Sequence, residues 1–297
     1  MVAPARSRRP GARPVVEEHD DRDRCPFDEG REAATPPETF VLGPPGRPAD
    51  APGWWVRVVP NKFPAFGPWP ADVDRAGLFT RKAAVGRQEV VVHSPRHVRS
   101  LADLSARELG LVAEAWRARV EAAREAGFGY VHCTVNEGRG AGASLAHSHS
   151  QLVWLPEEPP LIRQERAAQG GDCAVCSMVG EELAQRIRIV GERDGLVLLC
   201  PFAGRQPYEM FVAPVECERD AFAAGRLEAA LALLWDGVRR LRAAEGPVAY
   251  NAWLHADGHW HVEVVPRISV FAGLELGAGY YVNTLAPESA AGVLREA

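Results

Sequence analysis

Histidine at 147 and 149 and glutamine at 151 close a glycine-rich run, Asn136-Glu-Gly-Arg-Gly-Ala-Gly-Ala-Ser-Leu-Ala-His-Ser-His-Ser-Gln151. In an extended backbone alternate side chains share one face. His147, His149 and Gln151 are therefore expected to point the same way. Two imidazoles and an amide beside amide-rich backbone suit phosphate chemistry. One imidazole serves as nucleophile, while backbone N–H groups and the carboxamide hold phosphoryl oxygens. The plainer alternative is a polar strand edge whose histidines face solvent.

Metal-ligand spacing supplies the second signal. Cys173 and Cys176 are separated by two residues, and two such thiolates make half of a tetrahedral zinc site when two more ligands come from elsewhere. An internal repeat in the order of elements nominates Cys217 and His259. A redox pair or two ordinary thiols is the competing reading. The preceding Gly170-Gly171-Asp172 looks like a tight turn rather than the strand-to-helix junction of a thioredoxin-type site, which favours metal. The first half offers Cys25, Asp28, His97 and His147. A carboxylate can ligate zinc, but aspartate is common in turns, so this set rests on its register with the second half. As a ligand, His147 would pin the strand that carries His149. His93, His132 and His255 read as hydrogen-bonded structural histidines and His19 as solvated.

These residues need elements to position them. Residues 1–24 are rich in Arg and Pro and then acidic, and read as mobile. Residues 54–59 read as a strand ending at Pro60-Asn61-Lys62-Phe63-Pro64, followed by a long loop to Gly86 and a strand from Gln88 to His93. Ser105 and Glu108 form a capping-box pattern. Leu109, Val112, Trp116, Val120 and Ala123 then recur at helical spacing, and Gly127 and Gly129 end the helix. Strands follow at 130–136 and 151–155, and Pro156, Pro159 and Pro160 mark a joint. The second half repeats the order: Cys173/Cys176, strands at 196–200 and 209–213, a helix carrying Leu227, Leu231, Leu234, Val238 and Leu241, a strand at 248–254, and a last strand opened by His259-Trp260-His261-Val262-Glu263. The chain is expected to be an α+β protein made by tandem duplication, with antiparallel sheets and packed helices, divided into residues 1–160 and 161–297.

Composition bounds the function. The 297 residues are 46% hydrophobic and 25% charged, with a net charge of −5. Such a chain is globular and offers no broad nucleic-acid surface. No apolar run reaches membrane-spanning length, and no apolar segment follows the N-terminal arginines, so no secretory signal is read and a cytoplasmic location is expected. Six cysteines in a chain this long point to metal or free thiols rather than a disulfide scaffold.

The chain resembles the galactose-1-phosphate uridylyltransferases of the histidine-triad superfamily, including the branch with ADP-glucose phosphorylase. The resemblance covers nearly the whole chain. It is carried by Arg8-Arg9-Pro10, Cys25-Pro26-Phe27, Pro60-Asn61-Lys62-Phe63-Pro64, Ser94-Pro95-Arg96-His97, the run from Asn136 to Gln151, Cys173 to Cys176, His259 to Glu263 and Ala272-Gly273-Leu274-Glu275-Leu276-Gly277. It implies a pair of histidine-triad-like units. His149 matches the nucleophile that accepts a nucleotidyl group, and Gln151 the glutamine that hydrogen-bonds the transferred phosphoryl. Asn136 and Ser144 match phosphate-contacting positions, Asn61 a nucleotide-contacting asparagine, and Glu275 a glutamate that binds sugar hydroxyls. Cys25, His97 and His147 match ligands of a first metal, with Asp28 where a cysteine is usual. Cys173, Cys176 and His259 match a second metal site found in part of the family, with Cys217 where that branch has histidine. The N-terminus begins late against the family, so a leading strand with some nucleotide contacts is expected to be missing. Ser148 stands where proline is usual, as in the phosphorylase branch. A lysine and a glutamine that flank the sugar-binding glutamate in one enzyme group have no match here.

The implied activity is a ping-pong transfer of UMP between UDP-glucose and a hexose 1-phosphate through a covalent nucleotidyl-histidine. A competing form transfers an adenylyl group from an ADP-sugar to phosphate. A third is a zinc-stabilised nucleotide-binding protein without catalysis. The expected cofactor is structural zinc at one or two sites. The expected partners are a nucleotide sugar and a hexose 1-phosphate or phosphate, with a homodimer as a candidate assembly. Gln151 stands where related hydrolases commonly carry a third histidine. A neutral amide cannot act as an acid, which favours transfer to phosphate over hydrolysis.

Overall fold

The computed structural model describes residues 2–3, 20, 22–70, 73–168, 173–223 and 225–297. Arg8-Arg9-Pro10, His19, the turn Gly170-Gly171-Asp172 and most of the expected mobile N-terminus lie outside them. The first half supplies β1 (Phe40–Leu42), β2 (Val56–Pro60), a hairpin of β3 (Val73–Ala76) and β4 (Phe79–Lys82), β5 (Arg87–Val92), helix α1 (Ala106–Glu125), β6 (Tyr130–Glu137) and β7 (His149–Leu155). Helices α2 (Pro160–Ala168) and α3 (Ala174–Gln185) follow, then β8 (Ile189–Arg193), β9 (Leu196–Leu199), β10 (Met210–Pro214), α4 (Leu227–Glu245), β11 (Tyr250–His255) and β12 (His261–Pro266). The chain closes with α5 (Gly273–Ala278) and α6 (Pro287–Glu296).

Ten strands form one antiparallel sheet in the order β1-β2-β5-β7-β6-β11-β12-β10-β9-β8. The order reads the same outward from its centre: β6, β7, β5, β2, β1 on one side and β11, β12, β10, β9, β8 on the other. The duplication expected from the sequence is thus a pseudo-symmetry about the β6–β11 pair, where Asn136 faces Asn251. The pleat then sorts the side chains. Leu152 and Trp154 of β7 join Trp116 and Val120 of α1 and Leu231 and Leu234 of α4 in the main core. His149 and Gln151, at alternate positions, face the opposite side. There Cys25, Phe27, Trp54, Val59, Val90 and Val92 form a smaller core beneath them.

Helix α1 begins where the sequence indicates. The Ser105 side chain accepts from Glu108 N, and Glu108 Oε2 accepts from Ser105 N at 2.8 Å. Glu108 also takes bonds from Ser94 Oγ at 2.9 Å and from Arg96. Burial works against its charge, but bonds from Ser105, Arg96 and Ser94 outweigh it and hold the carboxyl at about 2. The helix cap therefore also anchors the Ser94–His97 loop, which brings His97 to a group of potential metal ligands.

Three elements depart from the sequence expectation. The long loop before Gly86 contains the β3–β4 hairpin, whose residues are exposed on both strands and so carry no burial pattern to read. Pro160 opens a helix rather than only breaking one, since a missing N–H costs nothing in the first turn. Cys173 caps α3, its Sγ accepting from Cys176 N, so the cysteine pair does sit at a helix start.

Gly86 leaves room for a neighbouring strand. A Cβ there would stand 2.4 Å from the Trp154 carbonyl oxygen and 3.0 Å from Phe66 Cβ. Backbone cannot yield as a flexible side chain can, so Gly86→Ala is expected to cost about 1–3 kcal/mol. A lower thermal unfolding midpoint checks this, and an unchanged midpoint refutes it.

Candidate functional site

The glycine-rich run becomes a tight loop between β6 and β7. A short 3₁₀ turn at Arg139–Ala141 is bracketed by Gly138 at φ 79° and Gly142 at φ 88°. Ala143 N bonds back to Gly138 O at 3.2 Å. Gly142 sits in the left-handed region, where a Cβ would be strained. The loop delivers the chain onto β7, where His149 pairs with Val92 and Gln151 with Val90 of β5.

His149 and Gln151 line a cavity of about 350 Å³ together with Phe27, Asn61, Phe63 and Ser144. His149 is buried, and its Nδ1 lies 2.7 Å from the His147 carbonyl oxygen. A carbonyl only accepts, so Nδ1 carries the proton and Nε2 keeps its lone pair. Burial pushes the ring below the ordinary imidazole range, and the bond to the His147 carbonyl only partly offsets it. The neutral form is the nucleophilic one. Phe27 packs its ring against His149, with centroids 5.3 Å apart.

Two groups of potential metal ligands flank the sheet, and each brings its four ligand atoms within 4.8 Å of one another. In the second half these are Cys173, Cys176, Cys217 and His259. His259 Nδ1 lies 3.5 Å from Cys173 Sγ and 3.2 Å from Cys176 Sγ. Ligands of a tetrahedral zinc stand roughly 3.5–3.8 Å apart, given bonds of about 2.1 and 2.3 Å. Its Nε2 bonds to Pro214 O at 2.9 Å, which turns Nδ1 toward the ligand cluster. The donor set and its spacing fit a metal ion.

The first half gathers Cys25, Asp28, His97 and His147. Asp28 Oδ1 stands 2.7 Å from His97 Nδ1 and 2.9 Å from His147 Nδ1, with Cys25 Sγ 3.7 Å from the latter. His147 Nε2 bonds to Ser94 O at 2.9 Å, matching His259 on Pro214. Burial pushes the Cys25 thiol up to about 11. The half-buried Asp28 carboxylate bridges both imidazoles. The set fits a metal ion and is also internally hydrogen-bonded.

The second half copies the backbone device that fixes His149 but not its surroundings. His261 Nδ1 lies 2.9 Å from His259 O, as His149 does on His147. Its ring is stacked against Phe211 and His255 at centroid distances of 4.5 and 4.3 Å. Its Nε2 meets Glu165 Oε1 at 3.5 Å, and such a carboxylate repels an incoming phosphoryl group. Burial opposes charge on His255, but bonds to Glu165 and Glu263 outweigh it and raise the ring to about 9. Burial and this neighbour hold His261 down to about 4. Glu165, His255 and His261 also form a third group able to hold a metal ion.

The structure thus places Asn61, Ser144, His149 and Gln151 around one cavity. Asn136 shares a narrower space with His149 behind the loop, and its Oδ1 accepts from Asn251 Nδ2 at 2.7 Å. Glu275 is not brought to the cavity; it caps its own helix, accepting from Ala272 N at 2.9 Å. His93 is fully buried, between Ser148 Oγ at 2.9 Å and Ser150 Oγ at 3.0 Å, as expected of a structural histidine. Sequence reasoning missed Arg24 and Lys62, which add positive charge to the cavity wall, and the carboxylate of Glu165. No spacing signal marks them. Among the described residues no helix is long and apolar enough to cross a membrane.

Residues 56–159 match the family described as galactose-1-phosphate uridyl transferase, N-terminal domain. The chain is 27% identical to ADP-glucose phosphorylase of Arabidopsis thaliana, over 100% of this chain and 89% of the relative. It is 25% identical to galactose-1-phosphate uridylyltransferase of Thermotoga maritima, over 80% of this chain and 82% of the relative. The crystal structure of the Arabidopsis ADP-glucose phosphorylase with bound ADP-glucose superposes with a TM-score of 0.79 at 26% identity, covering 100% of this chain and 94% of that one. The likeness to galactose-1-phosphate uridylyltransferases and to ADP-glucose phosphorylase thus rests on a family-model match over residues 56–159 and on relatives and a solved structure that match most or all of the chain.

Proposed function

We propose that the protein is a nucleotidyltransferase that moves UMP between UDP-glucose and a hexose 1-phosphate through a covalent intermediate on His149. The observation that carries this is the ring of His149, buried, neutral and fixed by the His147 carbonyl, in the wall of a cavity that it shares with Gln151. Nε2 attacks the α-phosphorus of the nucleotide sugar. The N–P bond forms as the bond to the bridging oxygen breaks, and hexose 1-phosphate leaves with that oxygen and its electron pair. An incoming phosphate oxygen then attacks the same phosphorus, and Nε2 recovers its lone pair. Gln151 and the loop amides stabilise charge on the phosphoryl oxygens, and Arg24 and Lys62 offset the diphosphate charge. Cys173, Cys176, Cys217 and His259, and likewise Cys25, Asp28, His97 and His147, would each hold a zinc ion that braces the strands, and with four protein ligands such an ion would leave no position for substrate.

One observation favours a second donor. The Arabidopsis ADP-glucose phosphorylase matches this chain over its entire length, whereas the Thermotoga uridylyltransferase matches 80% of it. The adenylyl reading keeps every residue role and replaces the acceptor by inorganic phosphate. Incubation with UDP-glucose plus hexose 1-phosphate, and separately with ADP-glucose plus phosphate, separates the readings by product. Exchange with the uridine donor supports the first, and ADP formation from ADP-glucose the second. Nucleotide binding without exchange in any arm overturns both in favour of a binding protein.

A further inference from the structure

Gln88 has no part in the chemistry above, yet it is bonded at both ends of its carboxamide. On β5 it sits diagonally across from Gln151 of β7, on the same face of the sheet. Its Oε1 accepts from Ala65 N at 2.8 Å. Its Nε2 donates to Gln151 Oε1 at 2.6 Å. Its main-chain oxygen accepts from Asn61 N at 2.8 Å. We infer that Gln88 is a positioning residue that fixes which end of the Gln151 amide faces the transferred phosphoryl group, and that it ties this orientation to the Asn61–Ala65 wall of the cavity.

The two ends of a carboxamide have nearly the same shape, so their assignment follows from the bonding network. A main-chain N–H can only donate. The Ala65 amide therefore requires an oxygen opposite it, which makes the far atom of Gln88 the NH₂. That NH₂ requires an oxygen on Gln151, and the Gln151 NH₂ is left on the other side. Among the described residues no group accepts from it, and Gln151 lines the cavity with His149. The result is a one-way relay from a backbone donor to a side-chain donor beside the nucleophile. Without it, Gln151 can present its carbonyl oxygen to the phosphoryl oxygens, where it repels instead of binding. The loop that starts the relay also holds Asn61 and Phe63, and Asn61 Oδ1 accepts from Phe63 N at 2.8 Å.

The inference rests on the nucleotidyl-transfer reading and has a test of its own. In Gln88→Glu the carboxylate still accepts from Ala65 N, so the loop stays pinned, but it offers Gln151 only acceptors. Gln151 then turns its NH₂ toward residue 88. The expected result is a fall in the rate of nucleotidyl-histidine formation of about 10²-fold, the scale of losing one such donor. KM for the nucleotide sugar and the unfolding midpoint should change little. Gln88→Leu, which carries no charge and forces no rotation, should lose less. In a Gln151→Ala background Gln88→Glu should cost almost nothing more, because the group it acts through is gone. If the loss persists in that background, or Gln88→Glu reacts as the native chain does, the inference is overturned while the transfer reading stands. A native chain that forms no nucleotidyl-histidine overturns both.

Discussion

His149→Ala is expected to abolish nucleotidyl transfer, by at least about 10⁴-fold, because removal of a covalent nucleophile leaves only binding and charge stabilisation. Incubation with a nucleotide sugar labelled in its nucleotide should give acid-labile, base-stable label on the native chain and none on the variant. The effect on the fold should be modest. The substitution leaves the His147 carbonyl without its partner at 2.7 Å, a cost of about 1–3 kcal/mol for a buried acceptor, and the metal groups are untouched. His261→Ala is the matched control. Both rings sit two residues after a potential metal-ligating histidine and bond its carbonyl, so general disruption of a His-x-His strand would affect both variants alike. Only His149 opens onto the cavity, whereas His261 faces Glu165 at 3.5 Å. His261→Ala should therefore keep its label. Label retained by His149→Ala, or lost equally from both, would refute the assignment.

The contrast between these histidines shows what a sequence can carry. Strand period places His147, His149 and Gln151 on one face; the register of β7 with β5 bears this out for His149 and Gln151, while His147 precedes the strand. The duplication was legible from the order of elements, and it led from Cys173 and Cys176 to Cys217 and His259, which the fold gathers. It did not reveal that the two units share one ten-stranded sheet, because pairing of β6 with β11 joins residues more than a hundred positions apart. The β3–β4 hairpin escaped because both its faces are exposed, so alternation of apolar and polar residues is not enforced. Glu165 escaped for a related reason. It reaches His255 and His261 from α2, and nothing in local spacing ties a helix residue to strands some ninety positions away. The sequence marks Gln88 only as a strand residue, since its meaning lies in a diagonal contact to β7 and a loop amide. Only the resemblance points to Glu275; no local spacing marks it, and its carboxylate accepts from Ala272 N at the start of α5.

Loss of the second metal group is expected to be felt in stability rather than in chemistry. Cys176→Ser removes one of four ligand atoms that lie within 4.8 Å of one another, and a hydroxyl is a much poorer zinc ligand than a thiolate. Peptides that fold only around zinc owe it about 10–16 kcal/mol. This chain should lose less, because Val175 and Val179 of α3 already pack on Ile189, Val197, Leu199 and Phe211 without help from the metal. A metal ion held there would add a tie between the start of α3, Cys217 after β10 and His259 before β12. A cost of about 4 kcal/mol, at the upper end for single substitutions, corresponds to a fall of roughly 8–16 °C in the unfolding midpoint for a chain of this size. Metal analysis should show about one equivalent of zinc fewer per chain in the variant. Chelation of the native protein should lower its midpoint toward that of the variant. Transfer assayed well below the new midpoint should persist, since neither Cys176 nor His259 lines the cavity that holds His149. A variant with native zinc content and an unshifted midpoint would show that these thiols hold no structural metal. A variant that stays folded but cannot transfer would show that the second half reaches the chemistry by a route other than stability.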